Sequence, residues 1–113
     1  MNQLILIGNL GADPEMFFSS EGKQVASFNL AFRAGRNKTG WIKVTCFNKM
    51  AEVAEKYLHK GARVAVVGSL DFEKWESEGQ ARTGHKLLCN SIDFIKTDGR
   101  GFEDGQDRDE VPF

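Results

Sequence analysis

The sequence predicts an all-β fold, a five-stranded antiparallel Greek-key barrel closed by one helix between its third and fourth strands. Three observations lead to this prediction. Several segments about ten residues long alternate apolar and polar side chains, one segment alone has helical spacing, and a glycine interrupts the longest strand. A parallel sheet is excluded, because a single helix cannot supply the crossover connections that parallel strands require.

The first half of the chain contains three predicted barrel strands. Residues 4–10 form a continuous apolar run that ends in a glycine turn, and residues 13–18 form a short extended piece after it. Apolar and polar side chains then alternate over residues 25–33, which predicts a half-buried strand. Residues 34–40 form a polar, basic loop, and the alternation resumes over residues 41–48.

One segment changes to helical spacing. Between residues 49 and 60 the apolar side chains recur at intervals of three and four residues, which predicts an amphipathic helix. Asn48 precedes the segment as a candidate N-cap, and Gly61 follows it as a C-terminal stop. The helix therefore lies between the third and fourth predicted barrel strands.

Two long strands complete the predicted barrel. The first runs from Arg63 to about Trp75 and carries Gly68 in its interior, where a bulge or a sharp bend is expected. A polar loop occupies residues 76–84, and the last strand covers residues 85–95. Three strands, one helix and two further strands, in this order, are typical of the OB-fold.

Charge divides the chain into two parts. The net charge is -1, yet residues 1–97 carry 13 Lys and Arg against 10 Asp and Glu, whereas residues 98–113 carry 2 against 6. We therefore predict one folded domain over residues 1–97 and a disordered acidic tail over residues 98–113. A mildly basic body favours a polyanionic partner.

Several classes of function find no support in the sequence. No apolar run approaches the roughly 18 residues of a membrane span, and the N-terminus lacks a secretion signal, so we expect a cytoplasmic protein without membrane association. Cys46 and Cys89 have no further ligand at metal-binding spacing, so we expect no metal and no other cofactor. His59 and His85 lie far apart, and no nucleophile motif is present. We therefore expect no catalytic residues and no enzymatic activity.

The third predicted strand has two faces of different character. Aliphatic residues supply a core face, whereas Trp41, Lys43, Thr45 and Phe47 share the opposite face. Two exposed rings with a cation between them suit unstacked nucleobases, because every base has a π face and each stacking contact contributes roughly 1 to 3 kcal/mol. Packing against another subunit or a flanking sheet explains such a face equally well.

Positive charge near this face favours nucleic acid as its partner. Basic residues occupy the preceding strand end and loop, the start of the helix and the position beside Trp75: Arg33, Arg36, Lys38, Lys49 and Lys74. Several cations beside aromatic residues are typical of nucleic-acid surfaces on OB-folds. Asp71 and Glu73 oppose this interpretation, because they place negative charge on the strand that carries Trp75.

The end of the acidic tail forms a second candidate site. Two acids precede an apolar residue, a proline and a terminal ring: Asp109, Glu110, Val111, Pro112 and Phe113. A pocket on a partner protein can hold the ring while basic residues hold the carboxylates. A tail that only solvates the protein is the alternative interpretation, and it is the commoner role of acidic ends.

Together these stretches resemble the bacterial single-stranded DNA-binding proteins. The similarity covers roughly residues 2–97, with its most characteristic stretches at residues 4–15, 41–47, 51–58, 60–61 and 74–75, and it returns in the acidic Pro-Phe ending. The resemblance implies an OB-fold that forms a homotetramer and binds single strands during DNA replication, recombination and repair. It also implies that the acidic tip recruits partner proteins from these processes.

The resemblance assigns roles to individual residues. It places Trp41, Phe47 and Trp75 at base-stacking positions and Phe18 at a position where the family often has an aromatic residue. Four lysines fall on positions that contact the DNA backbone: Lys43, Lys49, Lys60 and Lys74. The chain departs from the family in its short basic loop, its short linker, and the acids Asp71 and Glu73 in place of residues that tend to be basic.

Two alternatives remain at this point. A primosome-type relative is the nearest one, and the acidic tip at residues 109–113 argues against it. The other is a protein-interaction module whose aromatic face binds another protein, which is expected to show no DNA binding.

Overall fold

A computed structural model of the protein describes residues 1–96, which form six strands and one helix. The tail predicted over residues 98–113, with its tip, lies outside the described residues. In chain order the elements are β1 (Leu4–Leu10), β2 (Glu15–Phe18), β3 (Gln24–Arg33), β4 (Thr39–Phe47), α1 (Lys49–Tyr57), β5 (Arg63–Ser77) and β6 (Gln80–Lys96).

Five of these strands close into a barrel. The sheet has the order β1-β5-β6-β4-β3-β2, and an additional pairing of β1 with β3 closes it and leaves β2 as an extension beside β3. β1 joins both neighbours, because residues 4–9 pair with β5 and residues 8–10 pair with β3. The predicted all-β OB-fold, with a helix between the third and fourth barrel strands, is thereby confirmed.

One pairing in the barrel is parallel. β4 and β6 run in the same direction, with Lys43 opposite Lys86 and Thr45 opposite Leu88. The other pairings among the described strands are antiparallel, as the fold class predicts. Alternation within β4 and β6 contains no information on their relative direction, because both directions place alternate side chains on the same face.

The core fills the interior of the barrel. Its largest fully buried aliphatic side chains come from four strands: Leu30, Val44, Val64, Val66 and Leu87. Each strand contributes alternate residues, because neighbouring side chains point to opposite faces of a strand. The residues between them point to the outer side of the barrel, where Val25, Ser27 and Thr45 are also buried.

Helix α1 covers part of this core with Ala51 and Ala54. The helix starts after Asn48 as predicted, but the Asn48 side chain makes no capping hydrogen bond, so the predicted side-chain cap is wrong. Its φ of 50° and ψ of -118° turn the chain out of β4, and its backbone N–H donates to the carbonyl of Gln24. Asparagine tolerates positive φ better than most residues, which explains its presence there.

The helix ends earlier than the spacing predicts. It stops at Tyr57 because Leu58 adopts extended backbone and buries its side chain in the core. Lys60 thus lies beyond the helix, in the turn that leads to β5. Gly61 has a φ of 88°, which favours glycine, and its N–H donates to the carbonyl of Leu10.

The predicted loop over residues 76–84 is wrong. β5 and β6 continue through this segment as a hairpin, with Ser77 opposite Gln80 and only Glu78 and Gly79 between them. Both turn residues have positive φ, as the commonest two-residue hairpin turn requires. The strands continue through these polar residues, because the hydrogen bonds that pair two strands come from backbone groups.

The bulge predicted at Gly68 is confirmed. The register between β5 and β6 shifts between Val67 and Gly68. A Cβ at Gly68 would clash with the carbonyl oxygen of Leu88, so only glycine fits the close approach of the two backbones.

Residues 1–96 include no helix long and apolar enough to cross a membrane.

Candidate nucleic-acid interface

Strand register gathers most of the predicted aromatic residues on one outer face of the sheet. Phe17, Val25 and Phe47 are successive register partners across β2, β3 and β4. Trp41 lies on the Phe47 side of β4, since the two residues are an even number of positions apart. We call this surface the aromatic face. It includes Phe17, Trp41, Lys43, Phe47, Asp71, Glu73, Trp75, Arg82 and Lys86.

The parallel pairing of β4 with β6 extends the aromatic face onto the hairpin. Lys43 is the register partner of Lys86, and Lys86 is in turn the partner of Asp71. Trp75 follows Asp71 by four residues on β5 and therefore lies on the same side, opposite Arg82. Two tryptophans that are 34 positions apart in the sequence thus share one surface.

Each tryptophan ring rests against a glycine. Ring carbons of Trp41 lie 2.7 and 2.9 Å from the point that a Cβ on Gly11 would occupy. Ring carbons of Trp75 lie 3.2 and 3.3 Å from the corresponding point on Gly84. Because glycine has no side chain, each of these positions leaves room for the outer end of a tryptophan ring.

The rings of the aromatic face are half exposed rather than buried. Trp41 is 59% exposed, Trp75 47% and Phe47 40%, whereas Val44 and Cys46, on the other side of β4, are completely buried. Exposing large apolar surface costs free energy unless a partner covers it. The aromatic face is therefore suited to stacking with flat, partly apolar groups.

Phe17, rather than Phe18, lies on the same outer face as Phe47, with Val25 of β3 between them. Met16 packs against the core, so its neighbour Phe17 points to the outer face and Phe18 to the inner side. Phe18 is 72% exposed at the end of β2, opposite Gln24. The alternation of Met16 with its neighbours is the sequence signal that places Phe17 on the aromatic face, and the role assigned to Phe18 stays a prediction.

The predicted cations are divided between the aromatic face and other surfaces. Lys43 lies on this face, whereas Lys74 lies on the opposite side of the hairpin, because it is adjacent to Trp75. The other predicted cations are exposed at the end of β3, in the following loop, at the start of α1 and in the turn after it: Arg33, Arg36, Lys38, Lys49 and Lys60. The backbone N–H of Lys60 donates to the Asp13 carboxylate at 2.8 Å.

Two cations of the aromatic face were missed by the sequence prediction. Lys86 and Arg82 project from β6, within or beside the segment that was predicted to be a loop. The Lys86 ammonium forms an ion pair of 2.8 Å with the Glu73 carboxylate. The hydrogen bond from Lys86 holds the pKa of Glu73 below its ordinary value, and the positive charge of Lys43 contributes to the same shift.

The cysteines and histidines lie away from the aromatic face. Cys46 is completely buried, and Cys89 is partly buried beside it. A hydrogen bond between the two thiols raises the pKa of Cys46 and lowers that of Cys89. His59 lies in the turn after α1, and His85 packs against Phe72 with ring centroids 5.4 Å apart. Across residues 1–96, no cluster of three or more such side chains and carboxylates is placed to hold a metal ion.

Comparisons with known proteins agree with the fold. The model of the single-strand binding protein family matches residues 1–95. A solved structure described as a Plasmodium falciparum SSB complex with ssDNA is similar to this chain, with a TM-score of 0.76 and 30% sequence identity. The match covers 85% of this chain and 96% of that chain. The chain belongs to the single-strand binding protein family.

Proposed function

We propose that this protein binds single-stranded DNA without sequence preference and that the aromatic face is the binding surface. The observation that carries the proposal is the arrangement of Trp41, Phe47 and Trp75 on one outer face, each half exposed. Base stacking on such rings contributes roughly 1 to 3 kcal/mol per base and is tolerant of sequence. Family membership and the DNA in the name of the Plasmodium relative support the same function.

Fluorescence titration with poly-dT tests this proposal. Bases that stack on Trp41 and Trp75 should quench the emission of both residues, and the affinity should fall as salt rises because bound counterions are released. Equal affinities for oligomers of different base composition support sequence tolerance. Absence of quenching at low salt contradicts the proposal and favours a protein-binding surface instead.

We propose that the protein assembles as a homotetramer. β1 pairs with β3 only through residues 8–10, so one edge of residues 4–7 has no strand partner among the described residues. Ile5 lies exposed along this stretch. An unpaired strand edge beside an exposed apolar side chain favours association with another copy. Sedimentation with and without dT oligomers measures the assembly and the stoichiometry together.

We also propose the cellular role that the family resemblance implies. In this role the protein acts in the cytoplasm, has no catalytic activity, and protects single strands during DNA replication, recombination and repair. Its tip at residues 109–113 recruits partner proteins, which its acidic and apolar composition supports. Deleting residues 111–113 should abolish capture of these partners and leave DNA affinity unchanged. Equal loss of both activities contradicts this separation.

A further inference from the structure

We propose that Glu73 limits the affinity of the aromatic face for DNA by occupying Lys86, so that a DNA phosphate must displace the Glu73 carboxylate before it can contact this cation. The inference rests on the proposed function, and it deepens that function by naming a residue that opposes binding. A carboxylate and a phosphate compete directly, since both are anions that accept hydrogen bonds from an ammonium group.

The position of Lys86 makes this competition relevant to the whole face. Lys86 lies between Lys43 and Asp71 in the strand register, so one acid and two cations are neighbours across β5, β6 and β4. Its side chain is only 21% exposed, and that of Glu73 is 40% exposed. Partial shielding from water strengthens an ion pair relative to one on an open surface.

The ion pair lies between Trp75 and Phe47 on the aromatic face. Trp75 follows Glu73 by two residues on β5, toward the hairpin turn, and its ring rests on Gly84, which is the register partner of Glu73. In the other direction, Lys86 is level with Lys43 on β4, and Phe47 follows Lys43 by four residues. A single strand that stacks on both of these rings therefore passes over Lys86 beside Glu73, where its phosphates meet the carboxylate.

The carboxylate competes at neutral pH. Because the hydrogen bond from Lys86 holds the pKa of Glu73 below its ordinary value, Glu73 is ionised under the conditions in which DNA is bound. Removing this charge should leave Lys86 available for one additional phosphate contact. Each such contact adds about 0.7 to the magnitude of the salt slope for a single strand.

The experiment compares two variants of the full chain with the same change in net charge. Glu73→Gln removes the acid on the aromatic face, and Glu76→Gln removes an acid of the same strand on the opposite side of the hairpin, where its register partner is Ala81. The affinity for a fluorescent dT oligomer is measured over a series of NaCl concentrations. Thermal unfolding of each variant verifies that the fold is retained.

We expect Glu73→Gln to bind about three-fold more tightly than the wild type at low salt, a change typical of one partly exposed charge pair. Its salt slope should steepen by about 0.7, and adding Lys86→Gln should return the slope to the wild-type value. Glu76→Gln should leave the salt slope unchanged.

Two outcomes would overturn this inference and leave the proposed function intact. In the first, the wild type binds dT, and the Glu73→Gln variant has the same affinity and the same salt slope as the wild type. The other is equal tightening by Glu73→Gln and Glu76→Gln, which would assign the effect to net charge. A wild type that does not bind dT at low salt overturns the proposed function and this inference with it.

Discussion

Trp41 and Trp75 share the aromatic face, but the backbone segments that carry them differ in rigidity. Trp41 belongs to β4, which pairs with β3 along residues 39–47 and with β6 at residues 43–45. Trp75 belongs to the part of the hairpin where β5 and β6 pair only with each other among the described strands. An isolated two-stranded hairpin is marginally stable, so the barrel wall fixes Trp41 more firmly than the hairpin fixes Trp75.

The similar exposure of the two tryptophan rings therefore does not imply that they contribute equally to DNA binding. A ring held in place before DNA arrives loses little conformational entropy when a base stacks on it, whereas a ring on a mobile ribbon loses more. Trp41 is therefore expected to dominate the affinity, and Trp75 is expected to add a smaller increment.

The largest expected effect is that of Trp41→Ala. Loss of one stacking contact from the rigid barrel wall should weaken binding to dT oligomers by about 2 kcal/mol, within the range for base stacking on aromatic side chains. Trp75→Ala should weaken binding by about half as much. Titration of both variants under the same salt conditions measures the difference.

The matched control for both variants is Phe72→Ala. Phe72 is an exposed ring of the same hairpin, but it lies on the side of His85, away from the aromatic face. Its removal should leave DNA affinity unchanged. A larger loss in Trp75→Ala than in Trp41→Ala would reverse the comparison between barrel wall and hairpin.

A smaller effect on DNA affinity is expected from Gly11→Ala, which removes the space that the Trp41 ring occupies beside Gly11. The added Cβ would lie 2.7 Å from a ring carbon of Trp41, so the ring must shift away. Binding should weaken by about 1 kcal/mol with little change in the unfolding temperature, because the end of an exposed side chain moves at little cost. In a Trp41→Ala background the same substitution should have no further effect on affinity, and an undiminished effect there would contradict this role of Gly11.

Phe17→Ala tests the extent of the aromatic face at its other end. Because Phe17 lies in register with Val25 and Phe47, its loss should weaken binding by about 1 kcal/mol, the lower end of the stacking range. Phe18→Ala, one position along and on the other side of β2, is the matched control and should have less effect. The opposite order would favour Phe18 as the stacking residue.

The smallest effect is expected from single lysines. Lys43→Gln should lower the magnitude of the salt slope by about 0.7, because one phosphate contact on the aromatic face is lost. Lys74→Gln should change the slope less, since Lys74 points to the opposite side of the hairpin. Equal changes in both variants would indicate that DNA wraps around the hairpin rather than along one face.

Much of the fold follows from periodicity within single segments. The alternation in β3 and β4 identifies the core residues Leu30 and Val44 and, on the other side of β4, Trp41 and Phe47. The change to helical spacing locates α1, and Gly68 marks the position on β5 where its register with β6 shifts. These features depend on local geometry, which a short stretch of residues specifies.

The hairpin escaped prediction because its strands are polar. Residues 76–84 contain two glycines and charged side chains, which are typical of loops, yet their backbones pair once β5 and β6 are aligned by the apolar residues before and after them. Arg82 was missed for the same reason, since its position on a strand becomes visible only when the hairpin is known. Lys86 lies within the predicted last strand, but only the pairing of β6 with β4 places it beside Lys43.

Periodicity in the amino-acid sequence is sufficient to identify the core-facing sides of β3 and β4, because that choice depends only on a period of two residues. The tertiary structure alone decided which outer residues are neighbours. Lys43 meets Lys86, and Lys86 meets Glu73, only because the barrel closes with β6 between β4 and β5. Register between strands far apart in the chain depends on packing of the whole core, so the charge balance of the aromatic face follows from the closed barrel and from no single segment.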